Sequence, residues 1–300
     1  MPVLYVVGSV NLDLIAHLAR TPAPGETVVA KSGALSPGGK GANQALAARR
    51  MGVPVALVAE VGDDSFQEPA LRLLKTDGVD LSAVRTGAGS TGLALIWVSP
   101  EGENTIVVMP GANQTFLPTR FDPGPALAAG DAVLISMEVP ENVVEAAFAW
   151  AVRHHAPVYL DPAPVPDRFS ASLFRADVLM PNRGEAERLL GVELPDVRAA
   201  KWAAEKLVER GARVGVVKLG SEGLVYASRS GVFVRPARKA EVVDTTGAGD
   251  CFAGVLAAGL MSGLGLAEAV DRAMDAAAIA VTRPGAQPSF PYLHELDSKL

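Results

Sequence analysis

AVLISMEVPENVVEAAFAWAVRHHAPVYL, residues 132–160, is the stretch on which the fold turns. Ala132 to Met137 reads as a short buried strand, residues 141–153 as a helix, and Val158 to Leu160 as a second short strand. The rhythm continues downstream with a strand at Val178 to Met180 and helices near residues 184–191 and 198–210. Arg213 to Leu219 and Leu224 to Ala227 form a hairpin around Gly220-Ser-Glu-Gly223, and two Ala-rich helices follow, near 249–261 and 266–282. Upstream, Val3 to Val7 is a strand closing on Gly8, Val55 to Glu60 another, and Ser65 to Asp77 a helix. Short apolar strands alternating with helices predict an α/β fold: a mostly parallel sheet covered by helices on both faces, in three layers.

Two regions break that rhythm. Leu12, Leu14, Ala16 and Leu18 alternate with other residues as in a half-exposed strand, and Thr27 to Ala30 continues in extended style after the breaker run Pro22-Ala-Pro-Gly25. Gly92 to Val98 and Thr105 to Met109 flank a Gly-containing loop, Ser99 to Asn104, as a second hairpin. These strands are expected to form a small separate sheet, a lid (11–37 and 89–112), over a core made of 1–10, 38–88 and 113–300. The 93–98 and 105–109 strands are apolar on both faces. One face could close over a ligand and the other needs cover, which points to a homodimer.

The 300 residues are 49% apolar and 20% charged, enough for a full core and against disorder. The net charge is −6, and no Lys/Arg block resembles a nucleic-acid footprint. Cys251 is the one cysteine, so no internal disulfide can form, as in a reducing compartment. The opening MPVLYVVGSVNLD lacks a basic leader, and no run of about 18 apolar residues occurs; neither a signal peptide nor a membrane partner is expected, and the setting is cytoplasmic. The four histidines make no zinc spacing.

Five motifs carry chemistry. Asp244-Thr-Thr-Gly-Ala-Gly-Asp250 runs straight into an apolar helix. The N–H groups of Gly247, Ala248 and Gly249 at the helix start have no intrahelical acceptor, and the dipole adds positive charge: an anion site suited to a transferring phosphoryl group. Asp250, in the first turn, could accept a proton from an attacking hydroxyl. The plain alternative is an ordinary Gly-rich helix start. Gly38-Gly-Lys-Gly-Ala-Asn43 resembles a phosphate loop but is not a Walker A, because Gly41 follows Lys40 and Ala34 holds the first-Gly position. Lys40 and Asn43 can donate to hydroxyls; a flexible loop with an exposed lysine is the alternative. Asn11 and Asp13 alternate onto one face beyond the first strand, where ligands bind open α/β sheets, although an Asn/Asp pair also favours turns. Glu138 stands at the C-terminal end of a buried strand, as a ligand contact or a helix-starting loop residue. Asn182 and Glu185 have capping-box spacing, compatible with a purely structural role or with the ATP phosphates and a Mg²⁺-bound water. Cys251 reads as a small helix residue.

Taken together, GSVNLD, PGETV, GGKGANQALAA, STGLALI, EGENTI, GAN, DPAPVP, PN-x-x-E, LGSEG, DTTGAGDCFAG and AAAIAVTRPGAQPS resemble the ribokinase-like (PfkB) carbohydrate kinases, in consistent order from Gly8 to about Ser289. The resemblance implies ATP-dependent phosphorylation of a sugar hydroxyl, with Asp250 as base and Gly247, Ala248 and Gly249 as anion hole. Asn11, Asp13, Gly39, Lys40, Asn43 and Glu138 would bind the sugar. Asn182, Lys218, Gly220, Ser221, Gly223 and Gly249 would line the ATP site, with Met274 near adenine. Asp244, Thr246, Ala280, Arg283, Gly285 and Ser289 would hold an activating K⁺, largely through carbonyls, and Mg²⁺ would arrive with ATP, Glu185 touching it through water. Lys218 stands where Thr is more usual, and Met274 where a His often flanks adenine. The implied substrate is ribose; deoxyribose, fructose, ketodeoxygluconate or a nucleoside are alternatives, as is a non-catalytic sugar sensor.

Overall fold

The computed structural model describes residues 1–99, 104–121 and 126–297. The chain opens with β1 (Leu4–Val7), then leaves the main sheet for β2 (Asn11–His17) and β3 (Ser32–Gly38). Helix α1 (Lys40–Arg50) returns it to β4 (Val55–Val61), followed by α2 (Gln67–Thr76), β5 (Val84–Thr86), β6 (Gly92–Val98), β7 (Asn104–Met109) and the single turn α3 (Ala112–Thr115). The remainder alternates: β8 (Ala132–Ser136), α4 (Glu141–Arg153), β9 (Val158–Asp161), β10 (Val178–Leu179), α5 (Arg183–Leu190), α6 (Val197–Glu209), β11 (Val214–Lys218), β12 (Leu224–Ser228) and β13 (Gly231–Arg235). Three helices close the chain, α7 (Ala248–Met261), α8 (Leu266–Ala280) and α9 (Leu293–Asp297).

Among the described residues the main sheet has the order β13-β12-β11-β10-β9-β8-β1-β4-β5. It is parallel from β11 to β5; β12 runs antiparallel to β11, and β13, antiparallel to β12, returns to the direction of the rest. Alternation within β8 shows why it is a sheet with two covered faces. Ala132 and Leu134 enter the core under α1, α7 and α8; Val133 and Ile135 enter the core under α4 and α6. Each large aliphatic side chain so buried contributes roughly 1.5–3 kcal/mol of transfer free energy. Helix α7 is apolar almost all round, and it is buried accordingly.

The smaller sheet has the order β3-β2-β6-β7. The expected antiparallel character holds for β2–β3 and β6–β7, but the central pair β2–β6 is parallel. The strand expected at Thr27 to Ala30 instead lies at Ser32–Gly38, paired from His17↔Ser32 to Asn11↔Gly38. That edge position tolerates Pro37, which has no N–H to donate. A further difference is that Gly38-Gly-Lys-Gly-Ala-Asn43 is not a loop: β3 ends at Gly38 and α1 begins at Lys40. The strands β5 and β13, absent from the sequence reading, extend the two edges of the main sheet. Residues 100–103 of the 92–109 hairpin loop, with the first half of EGENTI, lie outside the described residues.

Candidate active site

The C-terminal ends of β1, β8, β9 and β11 meet the N-termini of α1 and α7, the edge at which open α/β sheets take ligands. Small residues make the meeting possible. A Cβ at Gly8 would lie 2.2 Å from Ser136 Oγ and 2.8 Å from Gly41 Cα, so α1 begins hard against the end of β1. Gly39 caps that helix at φ 88°, and a Cβ there would lie 2.7 Å from the Asn11 nitrogen. Deeper in the core, a Cβ at Gly254 of α7 would lie 2.4 Å from the carbonyl oxygen of Gln44. The two helices are therefore in backbone contact, and the first turn of α1 faces the first turn of α7.

Asp250, buried in that first turn of α7, is held from α1 by two amides. Asn43 Nδ2 donates to Oδ2 at 2.9 Å and Gln44 Nε2 to Oδ1 at 3.2 Å. Lys40 Nζ stands 3.8 Å from Oδ1. The Asp250 carboxylate, aided by Asp161, Glu138 and Glu185, holds the Lys40 ammonium well above the usual lysine range against the opposing effect of burial. Gly247 caps α7 in the left-handed region at φ 74°, and a Cβ there would lie 2.7 Å from that of Ala286. Cys251, next to the carboxylate, is fully buried, and burial first and Asp250 second push its thiol well up, as suits an inert helix residue.

Toward the smaller sheet, Asp13 lies on the β2 face that Asn11 shares. Burial, then Glu138 and Asp250, push its carboxyl up to about 7. Any side chain at Gly38 would collide with it, since a Cβ there would lie 2.5 Å from Oδ2. Glu138, just past β8, accepts from Ser9 Oγ at 2.5 Å and from the Lys40 backbone N–H at 3.1 Å. Asn113 orients Asn11: its Nδ2 donates to Asn11 Oδ1 at 2.8 Å while its Oδ1 accepts from the Val10 N–H at 2.9 Å.

On the other side of Asp250, Lys218 at the end of β11 donates to Asp161 Oδ1 at 2.8 Å, and Gln44 donates to Asp161 Oδ2 at 2.9 Å. The Lys218 ammonium would lie 3.8 Å from a Cβ at Gly249, beside the start of α7. Asn182 and Glu185 form the complete capping box of α5, with both Glu185 oxygens accepting from Asn182 at 2.7 Å. Burial holds the Glu185 carboxyl up, Asp161 adding to it while Lys218 and Lys40 oppose it. Gly220 and Gly223 turn the chain in the left-handed region on either side of Ser221, and a Cβ at Gly223 would lie 2.1 Å from the Arg235 carbonyl. Met274 lies on α8, buried in the core shared with α7.

The residues read as a cation site come from two loops that meet. Asp244 Oδ1 accepts from the Thr246 N–H and hydroxyl at 2.9 and 2.6 Å, and Oδ2 accepts from the Gly285 N–H at 2.8 Å. Burial alone would raise the Asp244 carboxyl, but these three donors outweigh it and hold it below its ordinary value. Arg283 donates from its backbone to the Ala280 carbonyl at 3.0 Å and from Nη1 to the Ser289 carbonyl at 3.5 Å.

Four residues of this cleft escaped the sequence reading as individuals. Gln44 looked like an ordinary helix former. Ser9, Asn113 and Asp161 sat inside quoted motifs, yet only the fold shows that each reaches a residue about a hundred positions or more away or, for Asp161, both Gln44 and Lys218.

The family model described as pfkB family carbohydrate kinase matches residues 1–293. The ribokinase of Haemophilus influenzae is 35% identical over 295 residues, 97% of this chain and 96% of its own length. The deoxyribokinase of Salmonella typhi is 32% identical, over 98% and 97% of the two chains. The structure of Arabidopsis thaliana ribokinase complexed with ribose and ATP superposes with a TM-score of 0.87 at 29% identity, covering 99% of this chain and 97% of that one. By its sequence along nearly its whole length, and by the Gly-ordered cleft just described, the chain belongs to the pfkB family of carbohydrate kinases.

Proposed function

We propose that this protein transfers the γ-phosphoryl group of ATP to D-ribose, giving ribose 5-phosphate and ADP. One observation carries the reading: a buried carboxylate, Asp250, clamped by two amides in the first turn of α7, whose start is capped by Gly247 in the left-handed region. In the transfer, the sugar hydroxyl gives its proton to Asp250 as its oxygen attacks phosphorus, and the bond to the bridging oxygen of ADP breaks. The start of α7 and the Lys40 and Lys218 ammonium groups offset charge on the phosphoryl oxygens. Asn11, Asp13, Gly39, Lys40, Asn43 and Glu138 hold the sugar; Asn182, Lys218, Gly220, Ser221, Gly223, Gly249 and Met274 serve the nucleotide.

Mg²⁺ would arrive with ATP and offset phosphate charge, held mostly by the phosphates and water, and Glu185 would reach it through a water. The ionised carboxylate of Asp244 suits a monovalent cation such as K⁺. Asp244, Thr246, Ala280, Arg283, Gly285 and Ser289 would hold it, where it would firm the loop behind the anion hole.

The same reading treats 11–37 and 89–112 as a lid on the core and pairs two chains through the lid's outer face. It is supported by exposed Leu35, Val107 and Met109 and by an apolar groove along Leu14, Ala16, Leu95 and Trp97. Such a kinase works where ATP is supplied, in the cytoplasm; no described helix is long and apolar enough to cross a membrane.

A second reading, deoxyribose as the preferred sugar, draws on the Salmonella relative. A panel of ribose, deoxyribose, fructose and nucleosides tests both. Ribose trailing another sugar by about tenfold or more in kcat/KM defeats the assignment, and the absence of sugar-stimulated ADP release would favour a non-catalytic sensor. Asp250→Asn should leave ribose binding measurable and lower kcat by about 10²-fold or more; near-normal turnover would remove Asp250 as base.

A further inference from the structure

We propose that Gln44 is a positioning residue for the phosphoryl transfer, its side-chain amide tying Asp250 to the Asp161–Lys218 pair and so fixing the angle at which the Asp250 carboxylate meets the sugar hydroxyl. This rests on the kinase reading above.

The geometry is specific. Gln44 Nε2 has two hydrogens and two acceptors, Asp161 Oδ2 at 2.9 Å and Asp250 Oδ1 at 3.2 Å. Both acceptors are acidic oxygens, so the amide must present its nitrogen to them; an oxygen there would repel. Its own Oε1 is buried and accepts no hydrogen bond among the described residues, so the side chain is placed for its donors alone. The Gln44 carbonyl sits where a Cβ on Gly254 would collide, so the α1 backbone packs directly on α7 at a distance that lets the side chain reach both carboxylates. Asn43 takes the second Asp250 oxygen at 2.9 Å. With each oxygen pinned by one donor, the plane of the carboxylate is fixed and one lone pair on each oxygen stays open to the cleft.

Residue chemistry narrows the choice to an amide. Glutamate would add a third negative charge to Asp161 and Asp250, and lysine would neutralise the base it is meant to orient. The amide orients without either cost. It also completes a chain, Lys218–Asp161–Gln44–Asp250, that runs from the start of α7 on the nucleotide side to the proton acceptor on the sugar side. The charged groups around Asp250 are Lys40 from α1, Asp13 from β2, Glu138 beyond β8, Asp161 at the end of β9, Glu185 from α5 and Lys218 from β11. A change of Gln44 alone leaves the identity and charge of every one of them unaltered.

The test is Gln44→Met, close to isosteric and without donors. Steady-state kinetics across pH should show kcat lower by about 10- to 100-fold, the sugar KM within about threefold, and the acid limb of kcat moved alkaline by about one pH unit, because the ionised base has lost a donor. Gln44→Asn, which keeps an amide in the core but cannot reach both carboxylates, should shift the same limb in the same direction if the methionine variant does not fold. A variant that melts earlier yet keeps the wild-type acid limb and a kcat within about twofold of wild type overturns the proposal, since a purely structural glutamine would behave that way. If instead the wild-type protein shows no sugar-dependent ADP release, it is the kinase reading that fails.

Discussion

Gly254→Ala adds one methyl group at the contact between α1 and α7. The new Cβ would lie 2.4 Å from the Gln44 carbonyl, 2.9 Å from the Ala47 Cβ and 3.0 Å from the Ala48 nitrogen, all on one helix and two of them backbone. Neither a rotamer change nor a flexible side chain can absorb the clash, so the helices must separate. Ordinary carbon–oxygen contact requires about 1 Å more room. The same 1 Å, carried to the first turns, stretches the 2.9 Å bond between Asn43 Nδ2 and Asp250 Oδ2 past hydrogen-bonding distance. Overpacking of this kind costs about 1–3 kcal/mol, a fall in Tm of about 2–5 °C for a chain of this size. Misplacing a catalytic group by about 1 Å costs on the order of 10²-fold in rate, so the loss of kcat should exceed what the stability change explains. Calorimetry and a coupled ADP assay, run well below the Tm, separate the two effects. A variant with unchanged kcat would refute the claim that helix spacing sets the position of the base.

Asp13 makes stability depend on pH. Its folded carboxyl titrates at about 7 against an ordinary 3.8, so the stability it contributes is present below pH 3.8 and is lost as pH rises through about 7. Asp13→Asn should therefore gain on wild type as pH rises from 4 to 8, by no more than about 4 kcal/mol, with ribose KM worsened; denaturant titrations giving a pH-independent difference would contradict this. Arg50→Met should destabilise by about 1–3 kcal/mol, because it leaves the half-buried Asp77 carboxylate with only the Tyr292 hydroxyl and frees the Gln287 and Phe290 carbonyls; an unchanged urea midpoint would count against it. Replacing K⁺ by Li⁺ should lower kcat/KM in wild type and leave Asp244→Asn indifferent; an equal response in both would remove the cation from that loop.

The α/β class was legible because the strands β8, β9 and β10 are short apolar runs separated by helices, a pattern set by burial on two faces. The glycines of the α7 start were legible for a local reason: a left-handed cap at Gly247 and a carboxylate one turn on are properties of neighbouring residues. What stayed hidden depended on distance. Gln44 carries no mark in sequence that it will meet Asp161 and Asp250, 117 and 206 residues away. The strand at Ser32–Gly38 was misplaced because Pro37 and two glycines suggest a loop, and only pairing with β2 gives that segment its extended form. The parallel join of β2 to β6 likewise follows from the topology of the crossing, on which local propensity is silent.

A single turn of helix, Lys40 to Gln44, supplies an ammonium group, a backbone N–H and two amides to three different carboxylates. Rewriting any one of those side chains disturbs the others, because they share one rigid peptide frame wedged between Gly8 and Gly254. A kinase of this build that shifts from one sugar to another has little freedom in that turn. Its latitude, on the lid reading proposed above, lies in Ala94, Ile96 and Val108, which share a face of the smaller sheet with Asn11 and Asp13 and hold none of the groups of that turn.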